Sequence, residues 1–462
     1  MSRVLNTQVD VEGAFNGYVT PNEDYFDRGG SQPVTSLSNR DHREKRSPPI
    51  PLHPRHLPPN VDSLDRMISN ARKSRGSKKV GIRDRICCYQ WTWFTMTMAT
   101  GGVSNVLYSI WTPYRADWLW YIGLVFFFFN ICLFIMNCVL ITMRFVMVPG
   151  SFLHSFLDQT ESLFIPAVFF HVLTDHGGST ATILINICEY GIPMTGPWLQ
   201  RVMEWLFWIY IIFSVVASTG MYLVLWSTQA FPIHTMTPVW VFPGYPLLLS
   251  APFASMLIAA STAVSDIPPA DGLAIAMCAI AVQGTGFLIS FMICAAFLYR
   301  LMTQKLPGDT QRPSVFISIG PSGFTVAGLV SLGQQAQIVI PDNFQGSTHS
   351  VVILRLLSTI IGLWIWGLSI WFFLVSVGSL TKYVRPDRKM PFQMTWWSFV
   401  FPNTALVTAT LALATALGSP GLRIAGCVMA AVLIVVWILV FTTMIRCLWN
   451  RKLLWPKDLE SE

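Results

Sequence analysis

Most of this chain is a succession of apolar stretches long enough to cross about 30 Å of hydrocarbon, which takes about 20 helical residues. Runs free of Asp, Glu, Lys and Arg fall at 86–114, 118–143, 205–265, 272–299, 313–341, 356–381, 390–422 and 424–445. The run 205–265 must hold two spans, because PIHTMTP at 232–238 is a polar break bounded by prolines. A further span at 162–190 is interrupted by Asp175. The pattern predicts ten transmembrane helices and an all-α polytopic membrane protein.

Two kinds of span alternate. The even ones, such as WLWYIGLVFFFFNICLFIMNCVLI at 118–141, are bulky and suit lipid contact. The odd ones carry a helix-disturbing residue near mid-span with small hydroxyl residues beside it: Gly101 and Gly102, Pro166, Pro252, Pro321 and Pro402. Each proline removes one N–H and frees the carbonyl four residues back, here those of Ser162, Leu248, Ile317 and Ser398. Such groups are costly in hydrocarbon unless protein or water satisfies them. Five quasi-symmetric hairpins around a shared, water-containing central pore follow as the expected architecture. The competing reading is that glycine and proline serve helix packing, as they often do in membranes.

Composition strengthens the membrane assignment. Of 462 residues, 53% are apolar and 12% charged, about half the charge of a soluble chain, and the mean hydropathy is +0.50. A soluble enzyme is excluded on these values. Twenty-five of the 55 charged residues precede residue 87, so residues 1–85 are expected to be a disordered, basic cytoplasmic tail. Its clusters RDHREKRSPPIPLHPRHLPP and ARKSRGSKK suit the anionic lipids of the inner leaflet. A ten-helix transporter domain is expected over 86–449 and a short cytoplasmic tail over 450–462.

The net charge of +7 needs no nucleic acid, because the bases sit in the tail and in short loops. With both termini inside, the inner loops hold Arg144, Arg300, Lys305, Arg312, Lys382, Arg385, Arg388 and Lys389, while the outer loops hold Arg115 and Arg423, with Arg201 and Arg355 at helix edges. That obeys the positive-inside rule. The chain start has no apolar core, so the first span is expected to act as the insertion signal. Nine cysteines without CxxC spacing predict neither a disulfide nor a zinc framework. No metal or cofactor is expected.

Long motifs then become recognisable. WTWFTMTMATGGVSNVLY (91–108), DQTESLFIPA (158–167), ILINICEYGIPMTGPWL (183–199), FPIHTMTPVWVFPGYPLLLSAP (231–252) and RPSVFISIGPSGFTVAGLV (312–330) resemble the fungal malic acid and C4-dicarboxylate transporters of the tellurite-resistance/dicarboxylate transporter family. That family includes fungal sulfite efflux pumps and is related to plant slow anion channels. The resemblance spans roughly 86–450 and implies ten helices in five hairpins around an anion path. It also implies a homotrimer, which nothing in these residues decides. WWSFVFPNT at 396–404 resembles the ninth-helix motif of the channels, in which the Phe before the Pro closes the pore. The matching residue is Phe401. A ring beside a proline kink, swinging about χ1, opens or shuts an apolar constriction that dewets.

One departure from the family pattern is FFHVLTDHGGSTA at 169–181, which puts His171, Asp175 and His176 inside the third span and reads as an insertion. No catalytic constellation is present: the eight histidines are scattered and there is no GxSxG or HExxH. Transport is therefore the expected function, of a dicarboxylate such as malate or succinate, with proton coupling. Sulfite or small-anion efflux is the nearest alternative, and a polytopic receptor or sensor the alternative of another class.

Groups expected to face the axis are Thr97, Thr100, Ser104, Asn105, Ser318, Ser322, Thr325, Asn403, Thr404 and Thr408, beside the glycines and prolines named above. A pore without fixed Lys or Arg binds weakly and passes ions quickly. For protons the candidates are His234, which titrates near neutral pH in its free form, with Glu161, Glu189 and Glu204 at span edges. The plasma membrane is the expected location.

Overall fold

Among the described residues, five short helices alternate with five long ones. The computed structural model describes residues 81–110, 116–158, 161–165, 178–265, 271–341, 344–385 and 390–454. The short helices are α1 (Phe94–Ser109), α3 (Gly178–Asn186), α5 (Ser250–Ser265), α7 (Ile319–Gln334) and α9 (Phe401–Ala416). The long ones, of 30–33 residues, are α2 (Asp117–Met147), α4 (Pro197–Thr228), α6 (Gly272–Gln304), α8 (Ser350–Ser379) and α10 (Pro420–Trp449). Pro166, His171, Asp175 and His176 lie outside the described residues, as does the expected tail up to residue 80. A short helix, Ile82–Cys87, crosses the boundary expected for that tail. Among the described residues there is no strand.

Burial separates the two kinds of helix. In the long helices 22–39% of the apolar window is buried, against 72–94% in the segments that contain α5, α7 and α9. The long helices therefore turn most of their apolar surface outward, where only hydrocarbon satisfies it. Eight helical segments among the described residues are long and apolar enough to cross a membrane. The first and third of the ten expected spans are represented by α1, of 16 residues, and α3, of 9.

The short helices form a closed ring of staves: α1 packs on α3, α3 on α5, α5 on α7, α7 on α9, and α9 on α1. Outside it α2 covers α1, α6 covers α5, α8 covers α7 and α10 covers α9, while α4 lies against α5 and the π-helical turn Ile187–Gly191. Small residues let the staves approach closely. A Cβ on Gly323 of α7 would stand 2.7 Å from the Ala405 backbone of α9, and one on Gly328 would stand 2.6 Å from Ala251 of α5.

A 3₁₀ segment leads into the staves: Trp91–Trp93, Ser162–Phe164, Pro238–Gly244, Arg312–Ser318 and Met394–Phe399. The prolines expected to disturb the odd spans lie inside Pro238–Thr262, Arg312–Gln334 and Met394–Ala416, where 3₁₀ gives way to α-helix. Pro252, Pro321 and Pro402 fall within the first three residues of α5, α7 and α9. Proline is tolerated there because the first-turn N–H has no intrahelical partner. Phenylalanines of the 3₁₀ segments touch one another: Phe164 on Phe242 at 4.5 Å and Phe316 on Phe399 at 5.1 Å.

Candidate functional site

Phe401 is the first residue of α9 and is only 2% exposed. Its ring lies 5.4 Å from that of Tyr245 and 5.3 Å from that of Phe324. Tyr245 stands in the lead-in of α5 and Phe324 in α7, so three staves contribute one ring each. Tyr245 in turn stacks on Phe242 at 5.0 Å, and Phe242 meets Phe164. Phe164, Phe242, Tyr245, Phe401 and Phe324 thereby form a contiguous run of aromatic rings.

The local backbone explains how Tyr245 is held. Pro321 leaves the carbonyl of Ile317 without its helical partner, and the Tyr245 hydroxyl donates to that carbonyl at 3.0 Å. Gly320 makes room, since a Cβ there would lie 2.2 Å from the same hydroxyl. At Pro252 the irregular backbone is served by Gln283 of α6. Its Oε1 accepts from the Ala251 N–H at 3.2 Å, and its Nε2 donates to Thr325 at 2.9 Å.

Other residues singled out from the sequence divide into groups. Gly102 faces Thr404 across the α1–α9 contact, with 2.7 Å from its virtual Cβ to the Thr404 hydroxyl. Pro252 packs against Gly328 between α5 and α7. By contrast, Thr100 accepts from Trp437 of α10, Ser104 donates to the Gly123 carbonyl of α2, Gly101 abuts Asn130 of α2 and Thr182 of α3, and Thr325 is held by Gln283. These four face outer helices or the seam between staves. Asn105 is half-buried and accepts from Ser109 at 3.2 Å.

Hydroxyl hydrogens are spent inside the staves. Thr97 donates to Phe94, Thr100 to Met96, Ser318 to Val315, Ser322 to Ile319, Thr404 to Phe401 and Thr408 to Thr404, all within 3.0 Å. Asn403 likewise spends Nδ2 on the Phe399 carbonyl at 2.8 Å. A hydroxyl so bound has only lone pairs left to offer, which hold an anion poorly.

The acidic candidates are placed differently from one another. Glu161 forms a 3.1 Å ion pair with Arg144, with side-chain exposures of 4% and 12%. Glu204 accepts from Gln200 at 3.1 Å. The His234 side chain is exposed, while its carbonyl accepts from Arg300 at 3.2 Å. Glu189 is 2% exposed and lies in the π-helical turn after α3, a feature frequent at functional sites.

Sequence reasoning did not single out Tyr245 or Phe324. Tyr245 and Phe324 both lie in the long motifs FPGYPLLLSAP and GPSGFT, yet nothing in those strings says that the two rings meet Phe401. A cavity of about 320 Å³ between α4 and α6, lined by Tyr222, Leu223, Trp226, Leu247 and Ile289 among others, lies outside the ring and is no part of this path.

Comparison with known proteins agrees with the architecture. The chain is 27% identical over 384 residues to the malic acid transport protein of Schizosaccharomyces pombe, covering 83% of this chain and 84% of that one. It is 26% identical over 349 residues to the sulfite efflux pump SSU1 of Trichophyton rubrum, covering 76% and 88%. A closed ring of short staves inside long lipid-facing helices and the match of residues 88–445 to the SLAC1 family profile, described as voltage-dependent anion channel, lead to one conclusion: this chain is a multi-pass membrane protein of the SLAC1 family.

Proposed function

We propose that this chain carries a C4-dicarboxylate such as malate or succinate across the plasma membrane, along the axis of a ten-helix bundle with both termini in the cytoplasm. Phe401 is the gate of that axis. The observation that carries the reading is the Phe401 ring packed against Tyr245 and Phe324 inside a closed ring of staves. The long similarity to a malic acid transport protein supports the substrate class. Thr404, Thr408, Ser318, Ser322 and Asn403 line the path as weak contacts, which favours turnover over tight binding.

Voltage sets the energetic condition. Moving one charge across 100 mV is worth about 2.3 kcal/mol, so a dianion entering an inside-negative cell meets roughly 4.6 kcal/mol of opposition. Protons must accompany it, or a monoanion must be the form carried. Glu189, buried in the π-helical turn after α3, is the proposed proton carrier. Export runs with the voltage, and the similarity to sulfite efflux pumps supports efflux of a small oxyanion as the second reading.

The test is uptake of labelled malate, set beside sulfite tolerance, in cells lacking both transporters. Proton-coupled malate uptake that falls with rising external pH supports the first reading. Sulfite tolerance without malate uptake selects the second, and ligand-stimulated signalling without flux of either removes both.

A further inference from the structure

The cavity between α4 and α6 is a groove whose walls follow helical geometry. On α4 it is lined by Val215, Ser218, Thr219, Tyr222, Leu223 and Trp226, a spacing of three and four that keeps to one helix face. On α6 the lining is Ala281, Val282, Thr285 and Ile289, again one face. Leu247, from the turn before α5, is buried and closes the back. Val215, Leu223 and Trp226 are 41%, 59% and 71% exposed, so the groove opens outward. Hydroxyls in both walls are spent on backbone: Tyr222 donates to the Trp240 carbonyl at 3.1 Å and Thr285 to the Ala281 carbonyl at 3.0 Å.

Position and length identify what covers this face. Both walls are helices long and apolar enough to cross the membrane, so hydrocarbon lies against them rather than water. The lining begins near the middle of the charge-free runs 205–231 and 272–299. It ends at Trp226, which stacks on Tyr222 at 5.3 Å close to the end of α4, and such rings mark the headgroup level. From Val215 to Trp226 the helix rises about 16 Å at about 1.5 Å per residue, and one leaflet of hydrocarbon is about 15 Å deep. The groove therefore runs the depth of one leaflet. At about 320 Å³ it is roughly twice the size of an apolar cavity of about 150 Å³ that stays dry and takes up a hydrocarbon guest. Wall atoms without neighbours forfeit dispersion contacts. Branched side chains on both walls and at Leu247 make an uneven floor, which a flexible chain follows better than a rigid ring system.

Leu247 ties the groove to the aromatic cluster. Gly286 of α6 makes room for it, since a Cβ there would lie 2.7 Å from the Leu247 Cβ. The Tyr210 hydroxyl of α4 donates to the Pro246 carbonyl of the same turn. That four-residue turn, Tyr245–Leu248, has the groove on one side and, through Tyr245, the rings of Phe324 and Phe401 on the other. Close-packed segments pass a displacement on.

We propose that an acyl chain of a membrane phospholipid occupies the groove between α4 and α6 and, pressing on Leu247, holds Tyr245 against Phe401. The site stands apart from the transport reading, whereas its effect on flux rests on that reading.

The experiment uses the full chain in phosphatidylcholine vesicles containing a small share of a phosphatidylcholine with a photoactivatable diazirine in one acyl chain, at the tip or beside the carbonyl. Irradiation and peptide mapping locate the adducts. The tip probe should mark residues 215–219 and 281–285 and the carbonyl probe residues 223–226, each several-fold above the outer face of α8. Ala281→Trp, at an exposed position, sets an indole in the groove and should remove these adducts while leaving those on α8. Thr219→Trp does the same from the other wall if the first variant does not fold. Adducts no denser than on α8, or unchanged in the tryptophan variant, overturn the site. So does stronger labelling of the same residues by a diazirine sterol, which marks a sterol site, or disulfide-linked dimers of Leu223→Cys, which mark a contact between copies.

Malate flux in the tryptophan variant, whose groove stays filled, should fall about fivefold, the low end of ordinary coupling between two sites. Flux at the wild-type level overturns the pressing of Leu247 on the gate. If the wild-type chain passes no anion, the transport reading has failed, and the adduct map alone decides the site.

Discussion

Replacing Phe401 by alanine removes the ring that α9 contributes to the constriction and leaves Tyr245 and Phe324 without their shared neighbour. Each aromatic pair contributes about 0.5–1.5 kcal/mol beyond its buried area, so the shut arrangement loses about 1–3 kcal/mol relative to an open one. At 1.4 kcal/mol per factor of ten, the ratio of open to shut shifts by about 5- to 150-fold. The vacated space exceeds the roughly 30 Å³ that one water occupies in the liquid, so the apolar constriction also loses its basis for dewetting. The assay is anion current or labelled malate flux at a fixed voltage, normalised to surface protein, in wild type and Phe401→Ala. Flux rising at least fivefold is the expected result. Wild-type flux in a variant present at wild-type density would falsify the gate.

Three further outcomes follow from the packing. Glu161→Gln strands the guanidinium of Arg144 in a pair that is 4% and 12% exposed, at a cost of about 3 kcal/mol; unfolding temperature should fall, and the double change with Arg144→Gln should recover part of it. Gly320→Ala sets a Cβ 2.2 Å from the Tyr245 hydroxyl, so it should displace the tyrosine from Ile317 and raise leak flux, whereas a silent variant would show that Tyr245 does not support the gate. Asp309 accepts from Lys382 and Tyr383, which hold its carboxyl below the usual carboxylate range. A depressed folded value contributes stability above the unfolded value near 3.9, lost as pH falls through the folded one. Because Asp309 is substantially exposed, screening leaves only a few tenths of a kcal/mol. The check is whether Asp309→Asn lowers the unfolding temperature at pH 7 but not below pH 3.

Much of the fold was legible in one dimension. Transfer of a side chain into hydrocarbon depends mostly on that side chain, so charge-free runs located the long helices, with ends differing by up to eight residues, and the break at 232–238 correctly divided the run 205–265. The alternation of bulky and glycine- or proline-bearing spans corresponds to outer helices and inner staves. Motif likeness singled out Phe401, which is buried against Tyr245 and Phe324. The proline signal marks the disturbed backbone inside these spans but does not say what form the disturbance takes, here a change from 3₁₀ to α-helix.

What only the tertiary structure decided depends on residues far apart in the chain. Tyr245 and Phe324 become partners of Phe401 because α5, α7 and α9 close a ring. Thr100, Gly101, Ser104 and Thr325 turn to outer helices or to the seam because each stave has a back as well as a front. Glu161 and Arg300 look alike in sequence, each an ionisable residue at the edge of a span, yet one meets an opposite charge and the other meets carbonyls. Hydropathy is a sum over single residues and is readable from the string. Charge pairing, ring contact and the direction of a hydroxyl are properties of pairs, and pairs exist only once the staves have closed.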